Sequence, residues 1–172
     1  MERKTKNVAK TALVVALMCV CAWVSVPFGV VVFTLQTLGA MIALQALGGT
    51  GGIVAIVIYL LLGAVGLPVF SSFGGGFGVL FGPTGGFLFG FLFGGAAYLC
   101  SERIFGKNKR GRIVGLCSFL FVCYIFGCGY YALGYGVGLK EAVTVCVLPY
   151  VVPEIVKLCL AVAVGGRIVR YL

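Results

Sequence analysis

An all-α membrane protein of six transmembrane helices with two apolar outer lid loops is the fold class this sequence predicts, and three observations predict it. Of its 172 residues, 62% are apolar and 10% charged, against roughly 45–50% and about 25% in soluble domains. A water-soluble globule of this length hides only about 70% of its unfolded surface, so the apolar excess belongs in a bilayer. The second observation is that residues 11–101 and 113–139 contain no charged side chain. The third is that most of the 13 basic residues fall in three groups: Arg3, Lys4, Lys6 and Lys10; Arg103, Lys107, Lys109, Arg110 and Arg112; Arg167 and Arg170. Basic flanks mark the cytoplasmic ends of short loops. Six spans put all three groups, and both termini, on that side of a plasma membrane, whereas five or seven strand one group outside. One membrane domain over residues 1–172 is expected.

The first span, Val8–Val26, follows the basic N-terminus. No small-x-small site precedes a polar region, so it reads as a retained span rather than a cleaved signal peptide. Ala12 and Ala16 lie one turn apart on it, a small-xxx-small pair suited to close helix contact. Phe33–Leu47 and Ile53–Leu67 are short for a hydrocarbon core about 30 Å thick and turn at Gly48–Gly52. The fourth span, Thr84–Ile104, carries Gly82, Gly86, Gly90 and Gly94 at every fourth position, a ladder that brings another backbone close to one face. Packing inside the bundle is the first expectation, an intersubunit seam the second. Ile113–Gly134 follows the basic loop 105–112. Ala142–Val164 is the sixth span, and two prolines, Pro149 and Pro153, favour a break within it.

Two connections on the outer side, Pro27–Thr37 and Leu67–Pro83, are too apolar for solvated loops. Irregular backbone at membrane depth is tolerated where it is buried in protein or lines a cavity, so both read as lids over a pocket. The sharpest polar signal is Glu154 and Lys157, three apart on one face of an apolar span. An ionised residue at a span centre costs roughly 2.5–3.5 kcal/mol on insertion scales and usually faces a cavity. A mutual ion pair near the outer interface is the alternative reading.

Several function classes are excluded. The basic groups lack interleaved stacking or base-reading side chains, so no nucleic-acid partner is expected. There is no His and no Asp, which removes the usual general base and any Ser-His-Asp constellation. The glycine run from Gly74 to Gly78 fails the GxGxxG spacing, and no phosphate-binding GxxxxGK[ST] motif occurs, so ATP hydrolysis has no familiar route. The eight cysteines, none in a CxxC pair, read as small apolar fillers. No cofactor and no metal site is expected.

Four blocks resemble the BioY family, the membrane-embedded substrate-binding (S) components of energy-coupling factor biotin transporters. They are Phe33-Thr34-Leu35-Gln36-Thr37-Leu38, Tyr59 to Phe70, Gly78 to Phe87, and Pro149 to Lys157. The last departs from the family's proline-phenylalanine-x-proline-glycine-aspartate-x-x-lysine at Tyr150, Val152, Pro153 and Glu154, while Lys157 is retained. The resemblance implies a six-helix bundle that captures biotin at its outer end under the two lids, with a transmembrane T component and a cytoplasmic ATPase pair as partners besides the lipid bilayer. Ala12 and Ala16 then look like the contact for the T component. A self-sufficient, gradient-driven transporter or channel is the alternative, and an enzyme is not expected. Candidate ligand contacts are Glu154, Lys157, Thr34, Gln36, Tyr59, Ser72, Thr84 and Tyr150, with Gly75 and Gly78 of the second lid. Glu154 can accept from the ureido N–H groups of biotin, and Lys157 can either donate to the ureido oxygen or pair with the carboxylate.

Overall fold

The structure is a computed structural model that describes residues 2–28 and 31–171, without the side chains of residues 2, 3, 28, 31, 166 and 168–171. Gly29 and Val30 of the first expected lid, and the side chains of Arg3 and Arg170, lie outside the described residues. Helix α1 (Glu2–Trp23) leads into an antiparallel ribbon of β1 (Ser25–Phe28) and β2 (Val31–Thr34). The first expected lid is thus a two-stranded ribbon rather than a loop: pairing Val26 with Phe33 and Ser25 with Thr34 satisfies backbone groups that the apolar surroundings would leave without water.

Helix α2 runs Gln36–Ala64, but it is not straight. Twenty-three residues of continuous helix would separate Gln36 from Tyr59 by about 35 Å, yet the Gln36 amide donates to the Tyr59 hydroxyl at 2.5 Å. The chain reverses at Gly48, whose φ of 72° and ψ of 168° are non-helical and sit in a region only glycine enters freely. Two antiparallel arms result, packed so tightly that a side chain at Gly52 would meet the Leu44 Cα at 2.5 Å. The reversal falls at Gly48 instead of being spread over residues 48–52, because the Glu102 carboxylate accepts the free Gly49 N–H at 2.9 Å and starts the second arm there.

After a connection containing a short 3-10 turn (Ser71–Phe73) and the one-turn helix α3 (Phe77–Leu80) come α4 (Gly85–Phe105) and α5 (Lys109–Tyr135). The Asn108 side chain caps α5 by accepting the Gly111 N–H at 2.7 Å. The glycine ladder of α4 faces α5: a Cβ at Gly86 would lie 2.3 Å from Tyr130 Cβ, one at Gly90 2.9 Å from Cys123 Cα, and one at Gly94 2.8 Å from Phe119. It is a seam inside the bundle, as first expected. Gly82 precedes α4 and meets its own turn, so the ladder is one position shorter than the spacing implied.

The sixth expected span is broken into α6 (Leu139–Cys146), a 3-10 turn (Leu148–Tyr150) and α7 (Val151–Tyr171). Pro149 and Pro153 supply no N–H, and Pro153 falls in the first turn of α7, where the missing donor has no intrahelical acceptor to lose. The core holds the fully buried Tyr59, Phe70, Phe91, Tyr98 and Phe119. A smaller cluster of Cys128, Tyr131, Ala142, Cys146 and Tyr150 packs beside it. Outward positions such as Leu13, Phe121 and Leu133 are exposed and apolar. Among the described residues, five helical segments are long and apolar enough to cross a membrane, with the two arms of α2 counted together. The chain is a multi-pass membrane protein.

Candidate functional site

Where the β2–α2 junction meets α4, α5 and the break before α7, the elements fail to close, and a cleft remains. It is narrow, with about 60 Å³ open to water-sized molecules. Phe33, Phe87, Leu88, Phe91 and Leu120 make apolar walls, and Thr34, Gln36, Thr37, Ser71, Thr84, Tyr124 and Tyr150 bring hydroxyls and an amide. That is the composition of a small-molecule site: apolar faces with a few placed polar groups.

Glu154 and Lys157 stand in the same wall, 7% and 3% exposed. Helical spacing places them one turn apart on α7, and Lys157 Nζ lies 2.5 Å from Glu154 Oε1. Thr37, from the first turn of α2, joins them: its hydroxyl donates to Oε1 at 2.9 Å and accepts from Nζ at 3.1 Å. The ammonium also sits 4.3 Å above the Phe33 ring, a cation–π contact. The second carboxylate oxygen, Oε2, is buried without a hydrogen-bond partner. Both readings of this pair therefore meet in one geometry: Glu154 and Lys157 bond each other, and they also line the cleft.

Six expected contacts line the cleft together: Thr34, Gln36, Thr84, Tyr150, Glu154 and Lys157. Four lie elsewhere. Tyr59 is fully buried behind the wall, donating to the Val69 carbonyl at 2.8 Å and accepting from Gln36. It orients Gln36 instead of facing the cleft. Ser72 turns away because its φ of 54° directs its N–H to the Ser25 Oγ at 3.2 Å. Gly75 lies against the backbone of the same connection, where a Cβ would meet the Leu67 oxygen at 2.3 Å, and Gly78 faces open space. Residues that sequence reasoning passed over include Thr37, Ser71, Phe87 and Tyr124. For Thr37 a signal existed, its place in the Phe33-to-Leu38 block that already drew Thr34 and Gln36. Tyr124 sits in an apolar run with nothing to distinguish it.

The end of α1 and the start of the ribbon touch the Leu67–Pro83 connection beside the cleft. The Trp23 indole N–H donates to the Pro68 carbonyl at 2.7 Å, its ring stacks on Phe73 at 5.3 Å, and Ser25 bonds Ser72. Ser72 and Phe73 both carry positive φ, 54° and 58°, a conformation costing roughly 1–2 kcal/mol per non-glycine residue.

Ala12 and Ala16 lie in a shallow apolar groove on the other side of the bundle, between α1 and the second arm of α2, with Val54, Ile58 and Leu62 as its opposite wall. They are not buried in helix packing, so their small size leaves a hollow open on the surface of the bundle.

A bundle of apolar helices around a cleft that contains one buried ion pair defines a multi-pass membrane protein of the transport class. The chain belongs to the BioY family, whose model matches residues 1–172. A "Probable biotin transporter BioY" of Pyrococcus horikoshii is 38% identical over 165 residues, covering 96% of this chain and 97% of that protein. The "Biotin transporter BioY" of Thermotoga maritima is 36% identical over 167 residues, covering 95% of each. In fold, the chain is similar to the crystal structure of the S-component for biotin from an ECF-type ABC transporter, with a TM-score of 0.87, 22% identity, and coverage of 96% of this chain and 92% of that one.

Proposed function

We propose that this protein is the substrate-binding subunit of an ECF-type vitamin transporter, taking biotin from the outer side and passing it to a T component driven by a cytoplasmic ATPase pair. Six crossings, with the two arms of α2 as spans two and three, give cytoplasmic termini in a bacterial plasma membrane. Support for a common cytoplasmic end comes from the Gly48 reversal lying beside Glu102 and Lys107, and from Gly165 near the end of α7 packing on Gln45. The ribbon and the Leu67–Pro83 connection lie at the opposite end and act as lids.

The observation that carries the ligand reading is the unpartnered Glu154 Oε2 in a buried, neutral ion pair. A buried carboxylate oxygen without a donor is costly, and a ligand N–H relieves it. Lys157 already serves Oε1, Thr37 and the Phe33 ring, and it is the one basic residue among those described in the cleft. A ligand carboxylate placed here would face Glu154 at close range. The ureido ring therefore sits at this end, its N–H groups toward Oε2, with the aromatic walls on the fused ring and the valerate carboxylate toward the mouth. The cleft, with about 60 Å³ open to water-sized molecules, holds a few waters, so biotin enters by parting the lids.

The test is ligand-dependent melting of the purified protein against a panel of vitamins. Biotin in thousandfold excess over its dissociation constant adds about 4.1 kcal/mol, which raises Tm by about 8–16 °C. A shift with a different vitamin and none with biotin would overturn the substrate and leave the architecture standing.

A further inference from the structure

We propose that Thr37 is a positioning residue that keeps Glu154 open to ligand. This rests on the reading of Glu154 as the ligand acceptor. The Thr37 hydroxyl has one donor and two lone pairs, and two of these three are committed. Its O–H goes to Oε1 at 2.9 Å, and a lone pair takes Lys157 Nζ at 3.1 Å. Oε1 therefore receives two donors, from Thr37 and from Lys157, while Oε2 receives none. The asymmetry of the carboxylate is imposed from α2, a helix more than a hundred residues away in sequence from α7.

Removal of the hydroxyl strands one ammonium N–H in surroundings where Lys157 is 3% exposed. A buried acceptor without a partner remains on the residue Lys157 already binds, the Glu154 Oε2. An ammonium that swings toward it closes the pair on itself: Glu154 meets Lys157 with both oxygens, and a ligand N–H aimed at Oε2 then competes with a full positive charge for it. Thr37 thus holds the pair in its open state, and its loss would leave the fold intact while weakening the site. Phe33 and Thr34, at the root of the ribbon, lie within four residues of Thr37, and Phe33 covers the same ammonium, so one short segment carries both the lid and the group that sets the pair.

The experiment measures biotin affinity and ligand-free Tm for the purified parent, Thr37→Val, Thr37→Ser, Glu154→Gln and the Thr37→Val/Glu154→Gln double variant. Thr37→Val should bind about ten- to a hundredfold more weakly, with a ligand-free Tm within about 2 °C of the parent, since a 1 kcal/mol loss would move it by roughly 2–4 °C. Thr37→Ser keeps the hydroxyl and should bind within about threefold of the parent. Because Thr37 acts through Glu154, adding Thr37→Val to Glu154→Gln should cost less than about twofold more, a non-additivity that an independent packing role would not produce. If Thr37→Val does not yield monodisperse protein, Thr37→Ala removes the same hydroxyl and carries the comparison. Parent-like affinity in Thr37→Val, full additivity, or failure of Thr37→Ser to restore binding overturns the proposal. A parent-like Glu154→Gln instead overturns the ligand site itself, and Thr37 with it; a weakened Glu154→Gln beside a parent-like Thr37→Val sinks Thr37 alone.

Discussion

Lys157 illustrates how much one buried charge asks of its neighbours. Its ammonium is matched by a carboxylate oxygen, a hydroxyl and an aromatic face from α7, α2 and β2 respectively. Truncating one partner of such a pair leaves the other charge uncompensated, at a cost of roughly 3–5 kcal/mol, so Lys157→Ala will lower stability as well as binding. Measured on folded, monodisperse protein, its biotin affinity should fall about 10- to 150-fold, the equivalent of a charge-assisted hydrogen bond of about 1.5–3 kcal/mol. Glu154→Gln keeps the shape and replaces an acceptor with a donor facing the ureido N–H groups, so its loss should be at least as large. Titration calorimetry reads both; affinities within twofold of the parent for both variants would make the pair purely structural.

The elements around the cleft divide into tightly packed walls and the connections that cover it. Helices α4 and α5 are walls, since Gly86, Gly90 and Gly94 admit the α5 backbone so closely that no side chain fits between them. The covers are held by Trp23, whose stacking on Phe73 and bond to Pro68 tie the start of the ribbon to the second connection. An aromatic pair is worth about 0.5–1.5 kcal/mol beyond its buried area, whereas the positive φ at Ser72 and Phe73 costs roughly 2–4 kcal/mol for the two residues together. Trp23→Ala should raise the dissociation rate of bound biotin roughly tenfold, seen by stopped-flow exchange against labelled ligand; an unchanged rate would show that the contact does not limit release.

At the scale of the molecule, the cleft and the Ala12/Ala16 groove are on separate parts of the bundle. Ala12 and Ala16 open a groove with the second arm of α2, whereas the cleft is enclosed by the ribbon, α4, α5 and α7. Ala12→Leu or Ala16→Leu should therefore abolish uptake, or assembly with the T component in a pull-down, while leaving biotin affinity within about twofold; parallel loss of binding would mean that the groove serves internal packing instead. Topology has its own check. Lys109 is exposed in the basic loop, whereas Asn108 caps α5 and is better left in place. In a background with its eight cysteines replaced, a Lys109→Cys reporter should resist an impermeant thiol reagent in intact cells, and ready labelling would invert the six-crossing arrangement.

Much of this architecture was legible in the sequence because burial in lipid is a property of composition. Charge-free runs, basic flanks and the four-residue glycine spacing act through the bilayer or through one helix face, and neither needs a partner to be known. The same holds for Glu154 and Lys157, whose three-residue spacing decides that they meet. What the sequence left open is whatever depends on contacts between distant segments. That Phe28 pairs with Val31 in a ribbon, that α2 reverses at Gly48 under the Glu102 carboxylate, that Tyr59 braces Gln36 behind the wall, and that Thr37 reaches across to α7 were settled by packing. Hydrogen bonds between residues 117 and 120 positions apart leave no periodicity to read. They follow from how tightly small residues let the helices approach, and only the folded chain decides that.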